Sequence, residues 1–199
     1  MTDRSAEREA VVTQQIERRG VRDRHVLDAI CDVPREAFVD RGMEEFAYED
    51  RPLPIGEGQT NSQPFIVGLM IEAAEARLGD TVLETGLGSG YATTVLNPIV
   101  KSVYAIERYK ALTQNAEARL ARLGYENVTL RTRDGTRGWT EAGSFGVQVL
   151  CCYLSVRPRG ANVRTTRWRP SGRWRCSRSR PSQGQSSGPA HFPGMDRIY

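Results

Sequence analysis

Along the first third of this chain, apolar residues recur at helical spacing on a polar background. Residues 5–19 carry Ala10, Val11 and Ile16 and run up to Gly20, a residue suited to the left-handed backbone that closes a helix. A shorter helix is predicted near 24–30, where Val26, Leu27 and Ile30 share one side. Pro34 opens a further turn over 34–38, as its fixed φ allows at a first helical position. Residues 47–63 contain Pro52, Pro54, Gly56 and Gly58 and read as a loop. From Gln63-Pro64 to about Arg77 the helical spacing returns, with Ile66, Val67, Met70, Ile71 and Ala74.

The period then changes. Residues 81–84 form a short apolar run after the turn Gly79-Asp80, and a glycine-rich turn leads into a helix over 91–96. A second strand is predicted at 102–107, a second helix at 110–123 ended by Gly124, and a third strand at 128–133. Strand, helix, strand, helix, strand is the order of an α/β, doubly wound, mostly parallel sheet. Its crossovers are expected to be right-handed. Beyond Phe145 the order fails. Residues 147–156 suit one more apolar strand, and no helix-length apolar stripe follows between Arg157 and Tyr199.

Charge sharpens that break. Residues 147–199 hold ten Arg, no Lys and one acid, Asp196, for a net +9. Residues 1–146 hold the other 18 bases and 23 acids, a net −5. No run of 18 apolar residues is present, and Met1 to Glu9 is polar and charged, so neither a membrane span nor a secretory signal is expected. Cys31, Cys151, Cys152 and Cys176 show no metal-ligand spacing. They read as free thiols in a reducing cytoplasm, and no metal site is expected.

The richest chemistry lies in Glu84-Thr85-Gly86-Leu87-Gly88-Ser89-Gly90, between a strand and a helix. Glycines there let the backbone turn sharply and approach a ligand closely. In the frame of a dinucleotide fingerprint, Tyr91 falls where the third glycine belongs, and the Gly-Lys-Ser/Thr of a phosphate loop is absent. An acid followed by alternating glycines instead fits the nucleoside-and-methionine loop of methyltransferases. Glu107 ends the next strand, where an acid commonly accepts hydrogen bonds from ribose hydroxyls. The plainer alternative is a tight turn with a solvated carboxylate.

Four stretches together resemble the protein-L-isoaspartate O-methyltransferase family. They are 19–23 with Val33-Pro34-Arg35-Glu36-Ala37-Phe38-Val39; 47–56 leading into 59–67; 82–91; and 103–108 followed by Arg133-Asp134-Gly135. Order and spacing match over about 7–146, and the 47–67 stretch is the most specific, since generic methyltransferases lack it. The resemblance implies a class I, Rossmann-like fold, S-adenosyl-L-methionine as cofactor, and methylation of the free carboxylate of L-isoaspartyl residues in damaged proteins. It places Ser62 at the family's active-site serine. Gly86, Gly88 and Gly90 would lie around the methionine part of the cofactor, Glu107 at the ribose, and Asp134 with Gly135 at the adenine, with Glu84 also among the cofactor-binding residues. An isoaspartyl protein or peptide would be the partner, with no membrane or nucleic acid, and the chain a monomer in the cytoplasm. A helix N-cap just before Gln63-Pro64 is the competing role for Ser62.

The chain would then divide into a helical and substrate-loop region (1–78), a cofactor-binding half (79–146) and an Arg/Pro/Ser-rich segment (147–199). Thr85, Leu87 and Asn61 depart from the family's usual residues, and nothing after Phe145-Gly146 matches it. Nine Arg and no acid within 157–180 suit GC-rich coding DNA read in a shifted frame. We therefore expect 147–199 to be disordered or frame-shifted, the sheet incomplete, its last edge bare and the chain to have little or no methyltransferase activity. Three alternatives stay open: a methyltransferase acting on another substrate such as a small molecule or RNA, a nucleic-acid-binding protein using the arginine tail, and a non-functional gene product.

Overall fold

The computed structural model describes residues 3–150, 164–169 and 173–178. Two layers of the chain arise from the two periodicities. The N-terminal helical segment begins with α1 (Ser5–Val11), which widens into a π-helical turn, Val12–Ile16, and tightens to a 3-10 turn, Glu17–Arg19. The wider turn lets Val11, Val12 and Ile16 all be buried, although 11 and 16 are five apart, which the i→i+5 bonding of a π turn accommodates. α2 (Arg24–Asp32) starts at Asp23, whose carboxylate accepts from His25 N at 2.9 Å, and His25 itself is exposed. A 3-10 turn, Arg35–Phe38, follows Pro34.

The 47–63 loop is not featureless. It folds into a small antiparallel hairpin of β1 (Leu53–Pro54) and β2 (Thr60–Asn61). α3 (Pro64–Ala74) follows and ends three residues before the predicted Arg77, because Glu75 turns left-handed at φ 50°. Then come β3 (Thr81–Thr85), α4 (Tyr91–Leu96), β4 (Ser102–Glu107), α5 (Lys110–Leu123), β5 (Val128–Thr132) and β6 (Val147–Leu150).

The sheet runs in the order β5-β4-β3-β6 and continues through β7 (Arg164–Arg169) to β8 (Arg173–Arg178). Every neighbouring pair is parallel except β7 with β8, so the fold is the mostly parallel, doubly wound sheet that the sequence pattern predicts. Val82, Leu83, Glu84 and Thr85 of β3 are all buried, as expected of a central strand covered on both faces. α5 packs on β4 and β5, and α3 on β6, β7 and β8. One buried cluster joins Val11 and Ile16 at the N-terminus to Val147 and Val149 in β6, so the helical region and the sheet share a core.

The outer edge of β6 is not bare. β7 pairs with it in the register Val147↔Arg164 to Val149↔Thr166, and β8 adds a hairpin. This corrects the expected exposed edge. No alternation marked these strands, and the backbone register sets Arg opposite Arg at 164↔178, 167↔175 and 169↔173. Their strand state rests on main-chain pairing, of β7 with β6 and of β8 with β7, which is a tertiary cause. The expectation of a disordered or frame-shifted tail falls mostly on 151–163, 170–172 and 179–199, outside the described residues.

Candidate functional site

The order β4-β3-β6 reverses direction at β3, the first strand of the sheet, so a crevice opens beyond the carboxyl ends of these strands, where open α/β sheets take ligands. A cavity of about 530 Å³ lies there, walled by Thr85, Gly86, Gly88, Ile106, Glu107 and Asp134, among others. That size falls within the usual range of small-molecule sites.

Its floor is the glycine turn, latched to β4. Gly86 N and Leu87 N both donate to Ile106 O, at 2.9 and 3.2 Å. Glu107 is only 6% exposed, and its carboxylate is fixed by backbone donors on two sides. Gly88 N donates to Oε2 at 2.9 Å, while Arg108 N and Tyr109 N donate to Oε1 at 2.7 and 3.0 Å. An ionised carboxylate offers about four acceptor positions. Three are used, which leaves acceptor capacity on a side chain that lines the cavity.

Asp134 follows β5 on the same wall, and its Oδ1 accepts from Thr136 N at 3.0 Å, starting the 3-10 turn Gly135–Arg137. Gly135 is buried against β3. A Cβ built on it would stand 2.2 Å from Thr85 Cγ2. Gly88 is left-handed at φ +54°, and a Cβ there would meet Ile55 Cδ1 at 3.2 Å. The hairpin loop therefore presses directly on the glycine turn, and Ile55, Gln59 and Thr60 complete the cavity wall.

A narrow extension of about 30 Å³ continues from the glycine turn to Ser62 and is also walled by Glu84, Gly86, Gly88 and Asn61. Glu84 is fully buried and accepts from Thr93 Oγ1. Seven of the eight residues singled out in the sequence thus converge: Gly86, Gly88, Glu107, Asp134 and Gly135 around the larger space, with Ser62 and Glu84 at its narrow end. Gly90 stands behind them. It starts α4 with a left-handed backbone at φ +87°, while a Cβ there would meet Ala116 and Leu120 of α5 only at ordinary contact distances of 3.5–3.8 Å, so the backbone conformation is what favours glycine.

Ser62 is not the helix cap. α3 starts at Pro64, Gln63 makes no side-chain cap bond, and Phe65 N donates to Asp50 Oδ1 at 3.2 Å. Asp50 also pairs with Arg19, whose guanidinium lies 3.5 Å over the Phe65 ring. The competing structural role for Ser62 is thereby taken by a residue twelve positions upstream, which spacing rules for capping do not reach.

Sequence reasoning missed Ile55, Gln59 and Thr60 as cavity wall, together with Arg108 and Tyr109. The last two follow Glu107 directly and were open to inference from their place after the strand. The first three became wall residues only when the hairpin folded over the glycine turn. Among the described residues no cluster of His, Cys, Asp and Glu could hold a metal ion, and no helix is long and apolar enough to cross a membrane.

Comparison with known proteins gives the same picture. The chain is 50% identical over 152 residues to protein-L-isoaspartate O-methyltransferase 2 of Pelobacter propionicus, covering 76% of this chain and 68% of that one. It is 50% identical over 139 residues to the protein-L-isoaspartate O-methyltransferase of Petrotoga mobilis, covering 70% and 65%. In both cases about a third of the relative's length lies outside the match. The fold superposes with a TM-score of 0.67 on a putative protein-L-isoaspartate O-methyltransferase from Plasmodium falciparum solved in complex with S-adenosyl-L-homocysteine, at 20% identity over 80% of this chain and 82% of that one. Residues 6–152 match the model of one family, and they include every part of the cavity described above: the chain belongs to the protein-L-isoaspartate(D-aspartate) O-methyltransferase family.

Proposed function

We propose that the chain binds S-adenosyl-L-methionine in the 530 Å³ cavity and methylates the free carboxylate of L-isoaspartyl residues in proteins and peptides. The donor set suits the cofactor. Glu107 keeps acceptor capacity for ribose hydroxyls, Asp134 and Gly135 border the space for the adenine, and the glycine turn with Glu84 borders the narrow end for the methionine portion. When bound, the cofactor supplies an already activated sulfonium methyl group.

The protein then has little proton chemistry to perform. A side-chain carboxylate has a pKa near 4 and is ionised at neutral pH, so no general base is required. What remains is positioning and the exclusion of water. Ser62 orients the substrate through its hydroxyl from the wall of the narrow space, which shares Thr60, Gly86 and Gly88 with the larger one. The observation that carries the isoaspartyl reading is that the 47–67 stretch, the part most specific to the family, supplies both Ser62 and the cavity wall at Ile55, Gln59 and Thr60.

Methyl transfer from labelled cofactor to an isoaspartyl peptide, with its normal aspartyl isomer and an RNA as controls, tests this. Label on the isoaspartyl peptide alone supports it. Label on RNA, or equal label on both peptides, favours a methyltransferase of another class. The same reading takes the chain to be a cytoplasmic monomer; sedimentation of the purified protein tests the monomer, and fractionation of cells tests the compartment.

A further inference from the structure

Arg35 is the largest side chain buried in the described residues, at 1% exposure. Enclosing a guanidinium away from water costs several kcal/mol unless something compensates. Among the described residues it forms no carboxylate pair within salt-bridge distance. Its donors reach backbone carbonyls instead: Nη1 to Ala47 O at 2.7 Å, and Nη2 to Ser62 O at 2.8 Å and Arg51 O at 3.4 Å. The ring of Tyr91 lies 5.5 Å from the guanidinium carbon, and Nε is buried without a partner. Burial accordingly pulls the Arg35 pKa below the ordinary arginine value.

The three carbonyls have one thing in common. Ala47 opens the substrate loop, Arg51 lies within it, and Ser62 closes it. A single cation therefore ties both ends of the loop together, and one tie is the backbone of the proposed substrate-orienting serine. Between those ends lie Ile55, Gln59 and Thr60 of the cavity wall. The fork of a guanidinium reaches separate carbonyls at once, which a single ammonium on a lysine stem does not match. A carboxylate partner would satisfy the charge locally, whereas carbonyl partners spend it on loop geometry.

We propose that Arg35 is a positioning residue: it clamps the 47–62 loop and sets the place of Ser62, without touching substrate or cofactor. The role rests on the isoaspartyl reading only for its catalytic consequence. The clamp itself stands on loop order, which is measurable without turnover. Two loop amides are natural reporters, since Ile55 N donates to Gln59 O at 3.0 Å and Gln59 N to Gly56 O at 2.8 Å.

The test compares the full chain with Arg35→Lys and Arg35→Met by hydrogen exchange with mass spectrometry, calorimetry with S-adenosyl-L-homocysteine, and initial rates on an isoaspartyl peptide. We expect exchange within 47–62 to quicken about tenfold or more in both variants while 81–107 stays within about threefold. We expect kcat/KM for the peptide to fall at least about tenfold further than cofactor-product affinity does. Unchanged protection of 47–62, or an equal loss of protection throughout the chain, overturns the clamp. So does full activity in Arg35→Lys. If Arg35→Met does not fold, the lysine variant decides by the same criteria. If the parent chain binds S-adenosyl-L-homocysteine but methylates no isoaspartyl peptide, the proposed function falls and exchange alone judges the clamp.

Discussion

Replacing Gly135 by alanine probes how tightly the cavity wall is set. A Cβ at 135 would lie 2.2 Å from Thr85 Cγ2, and the next atoms, Thr85 Cβ and Oγ1, are at 3.5 and 3.7 Å. Only one methyl is in the way. Thr85 is 3% exposed on a strand covered on both faces, and β-branched side chains have few alternative χ1 positions. The clash must therefore shift the turn after β5 or the strand itself. Overpacking of this kind costs about 1–3 kcal/mol, and about 2–4 °C of melting temperature per kcal/mol for a chain of this size. Gly135→Ala should thus melt about 2–12 °C lower than the parent, and bind S-adenosyl-L-homocysteine more weakly because Asp134 and Thr136 move with it. Thr85→Ser deletes the offending methyl and keeps the hydroxyl, leaving the new Cβ in ordinary contact. The double variant should recover most of the loss, with a coupling energy of about 1 kcal/mol or more in a double-mutant cycle. Thermal denaturation and calorimetry on the four proteins decide the matter. If Gly135→Ala is as stable as the parent, or Thr85→Ser leaves its defect untouched, the packing argument fails.

Glu107→Ala removes the acceptor proposed for the ribose, along with the acceptor for Gly88 N, and should weaken cofactor binding by at least about 1.5–3 kcal/mol, roughly 10- to 150-fold by calorimetry; unchanged affinity would remove Glu107 from the site. Ser62→Ala should lower peptide turnover about tenfold or more while leaving cofactor affinity and melting temperature nearly intact. Asp50→Ala, which removes the α3 cap and the partner of Arg19, should instead cost about 1–2 kcal/mol of stability. The reverse pattern would return the capping role to Ser62. Cys31 is held above the ordinary thiol pKa by burial and then by Asp32 and Asp28, so the reactive thiolate is scarcer than in a free thiol at pH 8. Iodoacetamide should label it more slowly than a small free thiol, as read by peptide mapping, and an equal rate would contradict that environment.

The amino-acid sequence by itself determined the succession of strands and helices up to β6 and the parallel, doubly wound class, because most of these elements are announced locally. The strands at 81–85 and 128–132 are flanked by Gly, Asp or Asn, and α5 carries its own periodicity and a glycine stop. The glycine turn and Glu107 were legible for the same reason: close backbone approach and a carboxylate at a strand end are written in residue type and spacing. Three matters waited for the tertiary structure. Asp50, and not Ser62, caps α3; the hairpin at Ile55 forms cavity wall; and Arg35 ties Ala47, Arg51 and Ser62 together. Each joins residues 12 or more positions apart, for example Arg35 with Ser62 and Asp50 with Phe65. The strands β7 and β8 belong with them, since pairing of β7 with β6 and of β8 with β7, and not alternation, makes them strands. A local pattern records which face of an element is apolar. It does not record where a charged side chain finds its hydrogen-bond partner, because that partner comes within reach only after the chain has folded.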